Sequence, residues 1–235
     1  MSGIMAATIS SYASPPVESG SFLLGTTSAY LSTTVATAVG SSAATYECWF
    51  YAISTPGNSV LLNTRPNGNT FGSGLVFYFS GGVYRLQGNA GFGTLGTVTL
   101  GTWNHVAITL PTGAINKTAR LWVNGVSAGT AIIDVSLTST NLYLGGIIYG
   151  SMLGYVSNFR YVLDVEVYTG TFTPPTSPLT ATQSAGTNIS AITAGQTQLL
   201  LNTATEATVF TDSSSYARTV TDPVGGVIFS ASSPF

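Results

Sequence analysis

The sequence predicts an all-β protein built as a two-sheet antiparallel sandwich, and three observations carry that prediction. Short runs rich in β-branched and aromatic residues recur along the whole chain, each closed by Gly, Asn, Pro or Ser. No segment keeps a helical period over about ten residues. The 235 residues suffice for one large core, because all-β sandwiches of this length commonly form a single domain.

In chain order the predicted strands are FLLG (22–25), TYECWFYAI (45–53), SVLLN (59–63), GLVFYFSG (74–81), GVYRLQ (82–87) and TVTL (97–100). They continue with WNHVAITL (103–110), ARLWVNG (119–125), AIIDVSL (131–137), NLYLGG (141–146), GYVSNFRYV (154–162), TQLLLN (197–202) and TVFTD (208–212). In WNHVAITL the alternation places Val106, Ile108 and Leu110 on one face and Trp103, His105, Ala107 and Thr109 on the other. Both faces are largely apolar, so His105 lies within a strand covered on both sides. Asn124-Gly125 supplies the positive φ angles of a tight hairpin, flanked by Leu121, Trp122, Val123 and Val126.

From about residue 173 the chain changes character. TPPTSPL (173–179) is fixed as an extended crossing by three prolines, residues 181–195 read as a loop, and QLLLN then restores strand character. The organisation expected is an N-terminal arm over 1–19, a sandwich over 20–180, and a strand-rich extension over 181–235 that packs on the sandwich or on neighbours. Ile9, Ser11, Ser14 and Pro15 recur at the same spacing as Ile228, Ser230, Ser233 and Pro234, an echo that places the start of a second unit at the chain's end.

Charge is scarce. Asp, Glu, Lys and Arg make up 6% of the chain, against about 25% in an average soluble domain, and the net charge is −2. The six cations are scattered, so no stripe exists to neutralise a run of phosphates and nucleic acid is excluded as a partner. The mean hydropathy of +0.36 reflects this missing charge. No apolar stretch reaches the length of a membrane span, and MSGIMAATISSYASPP lacks the basic start of a signal peptide. Cys48 is the single cysteine and reads as a small buried side chain.

TYECWFYA, GTWNHVAITL, ARLWVNG followed by NLYLGG, and LGYVSNFRYV with YTGTFTPPTSPL occur in the order of the laminin-G-like, concanavalin A-like jelly roll. The chain is similar to the branch of that family found in tailed-bacteriophage structural proteins, over roughly residues 20–180. The resemblance implies a jelly-roll sandwich and a virion component displayed on the particle surface, as a head decoration or appendage. Its partners would be other virion proteins and further copies of the chain in a homo-oligomer. The alternative it implies is a glycan-binding adhesin of a tail fibre or spike that attaches to a host surface glycan.

Catalysis is disfavoured. His105 is the only histidine, no G-x-S-x-G nucleophile elbow is present, and the resemblance makes His105 a packed, hydrogen-bonded side chain. A glycosidase needs two facing carboxylates, and Asp164 with Glu166, the closest pair, reads as a solvated connection after SNFRYV. No cofactor is expected. Laminin-G-like domains often hold calcium at the sandwich rim, which makes Asp134 the best single candidate ligand, although calcium wants six to eight oxygens and no D-x-D cluster exists. The remaining candidates for binding are Tyr84, Phe92, Tyr143, Tyr149 and Tyr155, which lie beside glycine-rich turns where a ring can stack on a sugar or a partner.

Overall fold

The structure, a computed structural model, describes residues 19–68, 73–88, 92–147 and 149–235. The expected arm, apart from Ser19, lies outside the described residues. Strands send successive side chains to opposite faces, and the inward-facing sets of two sheets meet. The larger sheet has eight strands. These are β1 (Ser21–Leu24), β3 (Ala44–Ser54), β8 (Trp103–Leu110), β9 (Lys117–Val123), β10 (Val126–Ile133), β12 (Leu153–Leu163), β13 (Thr197–Leu201) and β14 (Val227–Ser230). Their order is β10-β9-β8-β3-β12-β1-β14, with β13 pairing the distal half of β12. The smaller sheet holds β2 (Tyr30–Thr34), β4 (Asn58–Asn63), β5 (Val76–Ser80), β6 (Val83–Gln87), β7 (Phe92–Thr97) and β11 (Asn141–Gly145), in the order β2-β11-β4-β5-β6-β7. All strand pairs within the two sheets are antiparallel, and non-sequential neighbours such as β3 and β12 mark the crossovers of a jelly roll.

One apolar core fills the space between the sheets. Val106, Ile108 and Leu110 enter it from β8, Phe50 and Cys48 from β3, and Phe77, Phe79, Tyr84 and Leu86 from the smaller sheet. Phe50, Phe79 and Tyr84 meet with ring centroids 5.4–6.3 Å apart. Burying each such ring stabilises the fold by roughly 1.5–3 kcal/mol. Burial also pushes the Cys48 thiol far above its ordinary range, so it stays protonated and inert.

A third layer lies on the outer face of the larger sheet. Residues 164–196 form a long excursion whose Val167, Tyr168, Phe172 and Ile192 pack on Ala107, Trp122 and Val162. The Asn124-Gly125 turn has φ of 50° and 80°, the geometry expected for this hairpin. Gly125 also receives the excursion: its carbonyl accepts from the Phe172 N–H at 3.0 Å, and a Cβ there would fall 1.9 Å from the Phe172 oxygen.

Two differences from the sequence reading have physical causes. Residues 208–212, expected as a strand, instead follow a short 3-10 turn at Glu206–Thr208, because Thr208 bonds back to Thr205. β2 and β14 are strands that the sequence reading passed over, since YLSTT and VIFS sit amid serine and threonine. β13 and β14 pair within the larger sheet, and Leu199, Leu201 and Val227 join the core between the sheets. No helix among the described residues is long and apolar enough to cross a membrane.

Gly125→Ala is expected to lower stability by at least about 1–2 kcal/mol, from the left-handed backbone alone, with the clash against Phe172 added. Calorimetric melting measures it, and an unchanged melting temperature contradicts the described docking of the excursion.

Candidate functional site

Three polar residues from neighbouring strands of the larger sheet meet on its outer face. Glu47 on β3 lies across from Ala107 of β8 and Arg160 of β12, and His105 lies one step along β8. All three are buried, at 1%, 1% and 0% exposure. Arg160 Nε and Nη2 donate to Glu47 Oε1 at 2.8 and 2.6 Å. Tyr168 of the excursion donates to Oε2 at 2.6 Å, and His105 Nε2 donates to the same oxygen at 3.2 Å. Burial acts to raise the Glu47 carboxyl, but Arg160, His105 and Tyr168 together outweigh it and hold the carboxyl at about 2. The rest of the guanidinium ties down the excursion, donating to the Thr180 carbonyl at 2.9 Å and to Gln183 Oε1 at 2.7 Å.

This cluster looks catalytic in composition and is structural in geometry. Both Glu47 oxygens are occupied by four donors, and a cleft of about 340 Å³ nearby is lined by Arg160, Tyr168 and Gln183 but not by Glu47. A base needs a path to a substrate proton, and this carboxylate has none. Edge contacts with Trp49, Tyr168 and Phe172 at 5.3–6.0 Å enclose the His105 ring. Asp164 and Glu166 lie on the connection leaving β12, where exposed Asp164 accepts from Ser42.

The outer face of the smaller sheet is different. Tyr30 and Tyr149, both partly exposed, flank a cleft of about 410 Å³ whose lining includes Thr27, Ser28, Ile147 and Val224 and, among the described residues, no charged side chain. Each wall ring is braced by a second tyrosine: Tyr143 meets Tyr30 edge-on at 6.2 Å, and Tyr78 stacks on Tyr149 at 6.3 Å. The Tyr143 hydroxyl accepts from Asn141 Nδ2 at 2.9 Å, which fixes that brace. Backbone bonds lock the two rims: Ser151 N–H to the Thr27 carbonyl at 2.7 Å, Gly146 N–H to Ser151 Oγ at 2.8 Å, and Val60 N–H to the Gly150 carbonyl at 2.8 Å. The cleft is thus pre-formed.

The predicted binding residues do not stay together. Tyr149 lines this cleft and Tyr143 braces it. Tyr155 lies on the opposite side of the sandwich, on the outer face of the larger sheet. Tyr84 is corrected to a core position: it is 1% exposed and stacks on Phe77 between the sheets, with no ring face left for a ligand. Phe92 opens β7, and its ring lies outside the described residues. Asp134 follows β10 and sits against Gly88, close enough to Arg65 for their charges to interact. Among the described residues no group of three or more His, Cys, Asp or Glu could hold a metal, and a neighbouring guanidinium opposes one. Among the described residues, the donor set around Asp134 does not fit calcium. Tyr30, which the sequence reading did not single out, lies in the missed strand β2.

Two outcomes follow for the buried cluster. A carboxyl held at about 2 against its ordinary 4.5 contributes stability that is full above pH 4.5 and lost as pH falls toward 2. Melting temperature is therefore expected to fall across that window, and Glu47→Gln to flatten the fall. His105→Gln is expected to cost roughly 1–3 kcal/mol as a disturbed buried polar group while leaving ligand binding intact; lost binding at unchanged stability would contradict the structural role.

Comparison with known proteins agrees with the two-sheet geometry. No curated protein matches the sequence. A putative carbohydrate binding protein from Bacteroides ovatus shares the fold at 12% identity with a TM-score of 0.62, over 90% of this chain and 59% of its own length. Domains LG4-5 of the mouse laminin alpha1 chain match 60% of this chain at 17% identity with a TM-score of 0.46, and this chain spans 40% of their length. A heptameric SAP-like pentraxin from Limulus polyphemus matches 62% of the chain at 13% identity with a TM-score of 0.48, over 76% of its own length. The sequence profile of the concanavalin A-like lectin/glucanase superfamily, in its laminin-G form, matches residues 24–176, more than half of the chain, and the protein belongs to that family.

Proposed function

We propose that the protein is a non-catalytic glycan-binding module that takes an uncharged sugar in the cleft between Tyr30 and Tyr149. The observation that carries this reading is the cleft itself: about 410 Å³, braced tyrosine walls, hydroxyl and backbone groups, and no charged side chain among the described residues of its lining. That volume falls in the range of small-molecule sites, and a tyrosine ring offers an apolar face to sugar C–H groups with a hydroxyl at its rim. The Bacteroides ovatus protein of the same fold, named as a putative carbohydrate binding protein, supports the choice of ligand class. The occupied carboxylate at Glu47 supports binding without hydrolysis.

The setting we propose is the surface of a tailed-phage particle, as a head decoration or appendage, with a tail fibre or spike as the place where glycan binding would serve host attachment. The motifs around Trp103-His105-Val106-Ala107 and Gly154–Arg160 support it through their resemblance to that branch of the family. Mass spectrometry of purified particles tests the setting separately from the ligand.

Tyr30→Ala and Tyr149→Ala are each expected to weaken binding on a glycan array and in calorimetry by about tenfold, the scale of one lost ring interaction. Melting temperature should stay near that of the wild type. Equal affinity in both variants rejects this cleft as the site.

A further inference from the structure

The outer face of the larger sheet is covered along only part of its length. The excursion 164–196 covers the rows of Glu47 and His105, and Phe235 meets Trp49 edge-on at 5.8 Å. Among the described residues, the next row is left partly exposed. Register places Ile228 of β14 beside Leu23 of β1, Leu23 beside Tyr155 of β12, Tyr155 beside Tyr51 of β3, and Tyr51 beside Trp103 of β8. Five adjacent strands therefore present one apolar side chain each, in a line across four strand spacings, roughly 19 Å at about 4.8 Å per spacing. Ile228 is 57% exposed, and the other four are partly exposed.

Three of these residues are aromatic and hold one another in place. Tyr51 meets Trp103 and Tyr155 at 5.9 Å each, at interplanar angles of 67° and 68°, and Trp103 meets Tyr155 at 6.4 Å. Such edge contacts fix ring orientation before any ligand arrives, so little side-chain freedom remains to be lost on binding. Among the described residues, no charged one stands in the row. Of the charges on this face, Glu47 and Arg160 are buried, and Arg120 sits across from Thr109, toward the other end of β8 from Trp103.

We propose that the Tyr51–Trp103–Tyr155 row is a second glycan site, which takes an uncharged polysaccharide chain lying across the strands and makes the module bivalent. The neutrality of the row matches an uncharged polymer, and its length suits several sugar units rather than one. Because the row and the Tyr30–Tyr149 cleft lie on opposite outer faces of the sandwich, one sugar unit cannot fill both, and two chains become linked. This deepens the reading given above and rests on it.

The tryptophans separate the two sites. Trp49, Trp103 and Trp122 all stand on the larger sheet, and none lines the Tyr30–Tyr149 cleft. Tryptophan emission of the full chain is followed during titration with cellohexaose, mannohexaose and laminarihexaose, beside calorimetry. The expected result, for at least one probe, is a saturable change in emission that persists in Tyr149→Ala and weakens about tenfold in Tyr155→Ala. The wild type, and neither variant, is then expected to cloud a solution of the matching long polysaccharide. Calorimetric binding with unchanged emission, abolished in Tyr149→Ala, overturns the second site and leaves the glycan-binding reading standing. Self-association in sedimentation that Tyr155→Ala removes, without any emission change on adding sugar, assigns the row to a contact between copies and overturns the site. Absence of binding to every probe by both readouts overturns this inference together with the function it rests on.

Discussion

The Glu47 carboxylate sits buried between Arg160, His105 and Tyr168, and the third layer of the protein depends on that arrangement. A buried charge of this kind adds little net stability over a well-packed apolar group, yet removing one partner leaves the other unpaired at a cost of about 3–5 kcal/mol. Its value here is positional. Glu47, His105 and Arg160 come from three neighbouring strands, whereas Tyr168, Thr180 and Gln183 come from the excursion, so the ion pair fixes where residues 164–196 lie on the sheet. An apolar layer alone, such as Trp122 against Phe172, would hold the excursion without fixing its register.

Much of this fold was legible because alternation is a local signal. Val106, Ile108 and Leu110 face the core, and Asn124-Gly125 makes the turn that those two residue types favour. The same reasoning located His105 inside a covered strand. It could not find Arg160 or Tyr168 as its companions, because their proximity to Glu47 is set by strand order across separations of more than 110 residues. Glu47 appeared in the sequence only as one scattered acid among eight. The tyrosines show the same limit. Glycine-rich flanks marked Tyr84 and Tyr149 equally, yet Tyr84 enters the core from β6 whereas Tyr149 stands on the connection between β11 and β12 and walls the cleft.

The low charge of the chain is lower still at the surface. Arg65, Lys117 and Arg160 are buried, as are Glu47 and Asp212. Lys117 donates to the Ser42 and Pro111 carbonyls, and burial lowers its pKa. Asp212 accepts from the backbone N–H groups of Leu200, Ser214 and Arg218, which organises the loop after β13. Asp222 does the same for Gly225 and Val227 at the entry to β14. These charges are committed to satisfying backbone groups, which a long, irregular C-terminal segment cannot do through sheet ladders alone.

That use of charge determines what kind of partner the outer faces can recognise. With Glu47, Arg65, Lys117, Arg160 and Asp212 engaged inside, the described lining of the cleft on the smaller sheet and of the row on the larger one is left with rings, hydroxyls and backbone groups. Such surfaces give little long-range steering, so association is expected to be slow compared with charge-guided encounters and nearly insensitive to salt. Affinity must then come from contact area along an extended ligand or from several weak sites engaged together, each of which multiplies the others through effective concentration. A neutral polymer offers repeated units for both routes, and a module with braced rings on two opposite faces is suited to hold it.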